Sequence, residues 1–204
     1  MRQYVEIDSR IKCSLKDLLD EPIVVTVNDF DEASVKKFRD QFAQAHEIKQ
    51  PIIPILIDSY GGEVYSLMAM ISTIEHSEIP VATIVDGKAM SCGAILFSFG
   101  SPGHRYMDRN ATIMIHHVSI GWGREKVQEI ESKAAQARLL NDRVYRMMAR
   151  NCDQPETYFI DLVEKHKGNA DWYLSSEECL THRLASKLRV PKLKTSVRVE
   201  ISFE

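Results

Sequence analysis

Three times before residue 100 the chain sets a short β-branched run against a stretch of helical periodicity. Ile23-Val24-Val25-Thr26-Val27 precedes Val35, Phe38, Phe42 and Ala45, spaced as on one helix face behind the N-cap candidates Asp29 and Asp31. Ile52 to Asp58 precedes Val64, Leu67, Met68, Ile71 and Ile74, and Val81 to Asp86 precedes the apolar stretch Cys92 to Phe99. Continuous apolar runs this short read as strands buried on both faces. Strands and helices alternating at such spacing need crossover connections, which predicts a mostly parallel α/β sheet with helices on its faces. Pro54, inside the second run, strains that reading because proline donates nothing to a ladder.

Open α/β sheets place their sites at the C-terminal ends of strands. Two turns rich in small residues fall there. One is Ser59-Tyr60-Gly61-Gly62; the other is Gly87-Lys88-Ala89-Met90-Ser91-Cys92-Gly93-Ala94, where a strand delivers Ser91 to the start of a helix. Backbone N–H groups at a helix start lack intrahelical partners, and such donors can hold the oxygen that turns negative when a serine attacks a carbonyl. Gly61 and Gly62 let a peptide approach the backbone closely. By itself, each turn reads first as a crossover with an incidental serine or glycine.

His104 to Met107 predicts a short strand, and Ala111 to His117 another that ends in two histidines. Gly121 and Gly123 make a loop around Trp122. Arg124 to Ala149 is free of Gly and Pro, with Val127, Ile130, Ala134, Ala137, Leu140, Val144, Met147 and Met148 along one stripe. A helix this long either lies buried or projects onto a partner chain. Gln154-Pro155-Glu156 opens a further helix to Lys167, and Asp171-Trp172-Tyr173-Leu174 is a short apolar stretch headed by an acid. Ser175 and Glu178 form a capping box. Val197 to Phe203 alternates with period two, the pattern of a half-buried strand. Residues 1–20 give no element. Without repeats, low-complexity tracts or a linker, residues 1–204 read as a single domain, with 191–204 as a strand-like tail.

Composition narrows the function. A net charge of −3 without a basic run argues against nucleic acid as a partner. The four cysteines form no C-x-x-C pair, which speaks against a zinc site or a disulfide framework. The start of the chain lacks a secretion pattern, and no apolar run has membrane-helix length. The expectation is a soluble, cytoplasmic protein, off the membrane and without metal or cofactor.

A serine hydroxyl is a weak nucleophile and needs a base within hydrogen-bond reach, for which histidine has the suitable pKa. Neighbouring strand residues point to opposite faces, so only one of His116 and His117 can face Ser91. The residues do not say which. A carboxylate usually orients the imidazole, and Asp171 is a candidate because Trp172, Tyr173 and Leu174 would shield it.

Taken together, four segments resemble the proteolytic subunit of the Clp protease family, the caseinolytic serine peptidases. Ile57-Asp58-Ser59-Tyr60-Gly61-Gly62 resembles the family's Asn-Ser-Pro-Gly-Gly turn, and Gly87 to Ala94 its Gly-x-Ala-x-Ser-Met-Gly-Ala turn. Ile113 to His117 resembles its Met-Ile-His-Gln strand end, and Asp171 to Glu178 its Asp-x-Phe-x-Ser/Thr-x-x-Glu segment. Together these run from about Glu21 to Leu188. The resemblance implies a crotonase-like α/β fold with a long projecting helix. It further implies Ser91 as nucleophile, His116 rather than His117 as base, Asp171 as its acid, and an oxyanion hole from the N–H groups of Gly62 and Cys92. Tyr60 and Gly61 then lie on the substrate-binding turn. Also implied are polypeptide substrates, a homo-oligomer of stacked heptameric rings around a chamber, and a separate Clp-type ATPase. The chain itself has no G-x-x-x-x-G-K-[ST] loop.

The chain departs from that pattern at Asp58, Tyr60 and Cys92, where the family has asparagine, proline and methionine. Such divergence suits a phage-encoded or accessory paralogue. Cys92 is expected to serve only through its N–H, with its thiol a bystander. Three rivals remain: a non-catalytic ring subunit, a crotonase-like acyl-CoA enzyme using carboxylate bases, and a Ser–Lys dyad with Lys88 or Lys126 as base.

Overall fold

A computed structural model describes residues 22–118, 126–166 and 171–192. It contains one sheet in the order β1-β2-β3-β5-β6, with β4 also on β3. The elements run β1 (Val25–Val27), α1 (Glu32–Glu47), β2 (Ile53–Ser59), α2 (Val64–Glu75), β3 (Val81–Met90) and α3 (Cys92–Phe97). After them come β4 (Arg105–Met107), β5 (Thr112–His116), α4 (Val127–Asn151), α5 (Tyr158–Lys165), β6 (Asp171–Leu174) and α6 (Ser176–Thr181). All pairings are parallel except β5 with β6, which is antiparallel.

The predicted alternation of strand and helix is present, and local chemistry explains its punctuation. Asp31 caps α1 by accepting the Ser34 N–H at 2.7 Å, and Val35, Phe38, Phe42 and Ala45 form the buried face. Ser175 and Glu178 complete the capping box that starts α6. Pro54 fits because its missing donor falls where nothing waits for it. The Ile53 N–H reaches Pro80 on the β3 side, so the next position faces β1, whose ladder begins only at Val25 opposite Ile55. The tail strand expected at 197–203, the loop around Trp122 and residues 1–20 lie outside the described residues.

Two expectations need correction. The third strand does not stop at Asp86 but runs to Met90, so Ser91 follows directly on a strand. It is able to do so because its far edge changes partner: Thr83 to Val85 pair with β4, and Lys88 to Met90 pair with β5. Second, the helices do not cover both faces alike. Residues of all six helices join Ile53, Ile55, Ile57 and Val85 in one core, whereas the opposite face holds a small cluster of Ala82, Ile84 and Tyr106 flanked by Ile52 and Leu56. The alternation of side chains along β2 and β3 divides these two sets.

The long helix combines both arrangements allowed for it. From Val127 to Gln136 no residue is buried, while Ala137, Leu140, Val144, Tyr145, Met148 and Ala149 are. At 25 residues it is about 37 Å long, so its first half extends past the core. Among the described residues no helix is long and apolar enough to cross a membrane.

Burial pushes the thiol of Cys92 up to about 11, and those of Cys152 and Cys179 up to about 12, from an ordinary 9.0. Unfolding returns them to the ordinary value. Above about pH 9 the unfolded chain therefore binds fewer protons than the folded one, and stability falls as pH rises. Thermal melting between about pH 8 and 11 should show a declining midpoint, with a shallower decline in Cys152→Val. A midpoint that stays level would contradict this.

Candidate active site

β3 brings Ser91 to the point where strand becomes helix, and the backbone there is unusual. Ser91 has φ 54° and ψ −118°, a left-handed conformation that costs a non-glycine residue about 1–3 kcal/mol. Backbone bonds hold it on both sides. Its N–H donates to the Met114 carbonyl at 2.8 Å, and its carbonyl accepts from the N–H groups of Ala94 and Ile95. The bond to Met114 fixes Ser91 to β5, and β5 ends two residues later at His116.

The consequence is a short approach: Ser91 Oγ lies 2.8 Å from His116 Nε2. β6 then supplies the third group. In the antiparallel register His116 stands directly opposite Asp171, and Asp171 Oδ1 lies 3.4 Å from His116 Nδ1. At that distance a well-formed hydrogen bond is not made. The Asp171 side chain is 40% exposed. Trp172 and Leu174 are buried as expected, but Tyr173 is 56% exposed, so the shield is one-sided. His117 points elsewhere, its ring edge-on to Tyr145 at 5.8 Å.

The glycine turn completes the arrangement. Gly61 and Gly62 have φ of 110° and 153°. A Cβ on Gly61 would sit 2.7 Å from Ser91 Cβ, and one on Gly62 would sit 2.6 Å from the Phe30 carbonyl oxygen. The turn therefore presses against the serine on one side and against Phe30 on the other, and only glycine fits. Cys92 contributes the first N–H of α3, a position without an intrahelical acceptor. Among the described residues neither that N–H nor the Gly62 N–H donates to a backbone carbonyl. Tyr60 is 74% exposed beside the turn.

Ser91 and His116 open into a pocket of about 720 Å³. Val64, Ile95, Leu140 and Val144 give it apolar walls, and Asp29, Asp31 and Glu63 also line it. No group of three or more His, Cys, Asp or Glu among the described residues is placed to hold a metal ion.

Several contributors were missed in the sequence. Tyr145 Oη donates to the His116 carbonyl at 2.6 Å and steadies the strand end. Asn141 accepts the Val118 N–H at 2.8 Å and lines the pocket. Its signal was available: a polar residue one position past Leu140 and three before Val144, hence on the inward stripe. Phe30, which the glycine turn packs against, gave none. The Cys92 thiol is also more than a bystander, since it donates to the Gly62 carbonyl at 3.3 Å.

The two lysines weighed as alternative bases fare differently. Lys88 Nζ is 2.6 Å from Asp58 Oδ1, and that contact raises its pKa, which keeps the amine protonated and unfit as a base. Lys126 caps α4 and does not line the pocket.

Cys92 is 1% exposed and its thiol is pushed up to about 11, so it is a poor nucleophile at neutral pH. Iodoacetamide applied to the folded protein at pH 7.5 should leave Cys92 unmodified until denaturant is added. Rapid alkylation of Cys92 in the folded state would revive it as a candidate nucleophile.

A family profile described as Clp protease matches residues 7–190. An ATP-dependent Clp protease proteolytic subunit from Deinococcus radiodurans is 32% identical over 136 residues. That match covers 67% of this chain and 64% of the relative. The mostly parallel sheet with its helices is the crotonase-like α/β fold that such membership implies, and the chain belongs to the Clp protease family.

Proposed function

We propose that the chain is a serine endopeptidase that hydrolyses peptide bonds of unfolded polypeptides. The observation that carries this reading is the 2.8 Å approach of Ser91 Oγ to His116 Nε2, with Asp171 directly across the ladder from His116. Asp171 favours the tautomer with a proton on Nδ1, which leaves Nε2 free to accept the serine proton. Ser91 Oγ attacks the carbonyl carbon as His116 takes that proton. The carbonyl oxygen gains the negative charge and is held by the N–H groups of Gly62 and Cys92. His116 gives its proton to the departing amine; it then takes a proton from the water that attacks the acyl carbon and returns it to Ser91 Oγ as the acid product leaves. The 3.4 Å spacing to Asp171 shortens as the imidazole becomes charged. Side chains and backbone suffice for every step, so no cofactor enters.

Tyr60 and Gly61 border the path of an extended substrate, and the apolar walls of the pocket receive a side chain next to the cleaved bond. The assembly we infer is a homo-oligomer of stacked heptameric rings enclosing these sites. Supporting it is the exposed first half of α4, where Val127 is 65% exposed on a helix that extends past its own core; Leu139, on the outer face of the packed half, is 54% exposed. A closed chamber would admit chains threaded by a separate Clp-type ATPase in the cytoplasm, and this limits what an unselective site can cut.

A fluorophosphonate probe and a fluorogenic peptide test the chemistry together. Labelling and turnover are expected in the wild-type protein, and Ser91→Ala should lose at least about a thousandfold in turnover and all labelling. Retained turnover in Ser91→Ala would sink the assignment; an unlabelled, inactive wild type forming rings on native mass spectrometry would instead mark a non-catalytic ring subunit.

A further inference from the structure

Lys88 is left unused by the chemistry above, yet it sits at the least regular point of the sheet. The ladder between β2 and β3 pairs Ile57 with Val85 and resumes with Ser59 opposite Ala89. Between those pairs β2 spends only Asp58, whereas β3 spends Asp86, Gly87 and Lys88. The strands therefore part locally at a bulge between two paired stretches, and only the single pair Ser59–Ala89 ties them beyond it. Immediately beyond it lie Gly61 and Gly62 on one side and Ser91 on the other. Gly61 packs so closely on Ser91 that an added Cβ would overlap it at 2.7 Å. Any slip at the bulge would move the glycine turn against the nucleophile.

Side chains bridge this gap where the backbone does not. Lys88 Nζ lies 2.6 Å from Asp58 Oδ1, joining the two strands across the bulge, and 4.4 Å from the centre of the Tyr60 ring. Asp86 is the other charged group acting on the amine, and it too favours the ammonium form. Asp58 and Tyr60 are two of the positions where the chain departs from the family turn, which has asparagine and proline. Proline would fix the turn's backbone covalently. Here two non-family residues converge on one lysine.

We propose that Lys88 is a positioning residue, an ammonium clamped between Asp58 and the Tyr60 ring that holds the bulged ends of β2 and β3 in the register setting Gly61 and Gly62 against Ser91. It touches no reacting atom. This inference rests on the peptidase reading. Because the clamp is partly exposed, its effect is modest and screened by salt.

Peptide turnover measured well below the melting range tests it in wild type, Lys88→Met, Lys88→Arg, Asp58→Asn and the Lys88→Met/Asp58→Asn double variant. Lys88→Met should lower kcat about three- to fivefold with KM within about twofold, and slow fluorophosphonate labelling of Ser91 by the same factor. Lys88→Arg, which keeps the cation, should recover most of that loss. The double variant should be no slower than Lys88→Met alone, because both changes break one interaction. Rising salt should slow the wild type and leave Lys88→Met unaffected. A wild-type kcat in Lys88→Met, a loss confined to KM, or losses that multiply in the double variant would overturn the proposal. Those outcomes leave Ser91-dependent turnover in place, whereas failure of the peptidase reading appears as turnover that survives Ser91→Ala or as an unlabelled, inactive wild type.

Discussion

The hydrogen bond from the Ser91 N–H to the Met114 carbonyl organises the site. It is a backbone bond at the last step of the β3–β5 ladder, and it fixes the serine relative to a strand that ends two residues later in His116. The neighbouring antiparallel ladder places Asp171 opposite that histidine. Three side chains widely separated in sequence are thus arranged by main-chain pairing, and rotamers complete the last few ångströms. The departure of β4 from the β3 edge is what permits it. Had β4 continued past Val85, β5 would have had no edge on which to deliver His116.

Opposing this order is strain. Ser91 holds a left-handed backbone, and the two glycines before α2 hold conformations closed to other residues. Such positions persist where the surroundings over-determine them. Around Ser91 the determinants are Met114, Ala94 and Ile95; around Gly62 they are Phe30, whose carbonyl accepts the Glu63 N–H at 2.7 Å, and the Cys92 thiol. In the mechanism proposed above, this backbone sets the Gly62 and Cys92 N–H groups to receive the oxyanion before any substrate arrives. Losing one preorganised donor of this kind typically costs acyl transfer about a hundred- to a thousandfold.

Much of this was legible from residues alone, and the limits have physical reasons. Helices were legible because one-sided burial imposes a period of 3.6 on the sequence, and the central strands because burial on both faces leaves short continuous apolar runs. Ser91 stood out because small residues surround it at a strand end. The choice between His116 and His117 was not legible, since the alternation of strand residues says that they diverge but not which one meets the serine. Register decides that, and it is set by partners far along the chain. The end of β3 was read too early because Asp86, Gly87 and Lys88 carry the polar composition of a turn, although the bulge keeps them in a strand. The contact of Cys92 with Gly62 and that of Tyr145 with His116 span 30 and 29 positions, beyond any local pattern.

The central claim is that one oxygen position lies between the Gly62 and Cys92 N–H groups and within bonding reach of Ser91. A crystal structure of the protein reacted with a peptide aldehyde tests it most directly. The account predicts a tetrahedral carbon bonded to Ser91 Oγ, with its oxygen accepting from both N–H groups and His116 Nε2 within hydrogen-bond distance. An adduct on the Cys92 sulfur, or a tetrahedral oxygen turned away from the glycine turn, would contradict it.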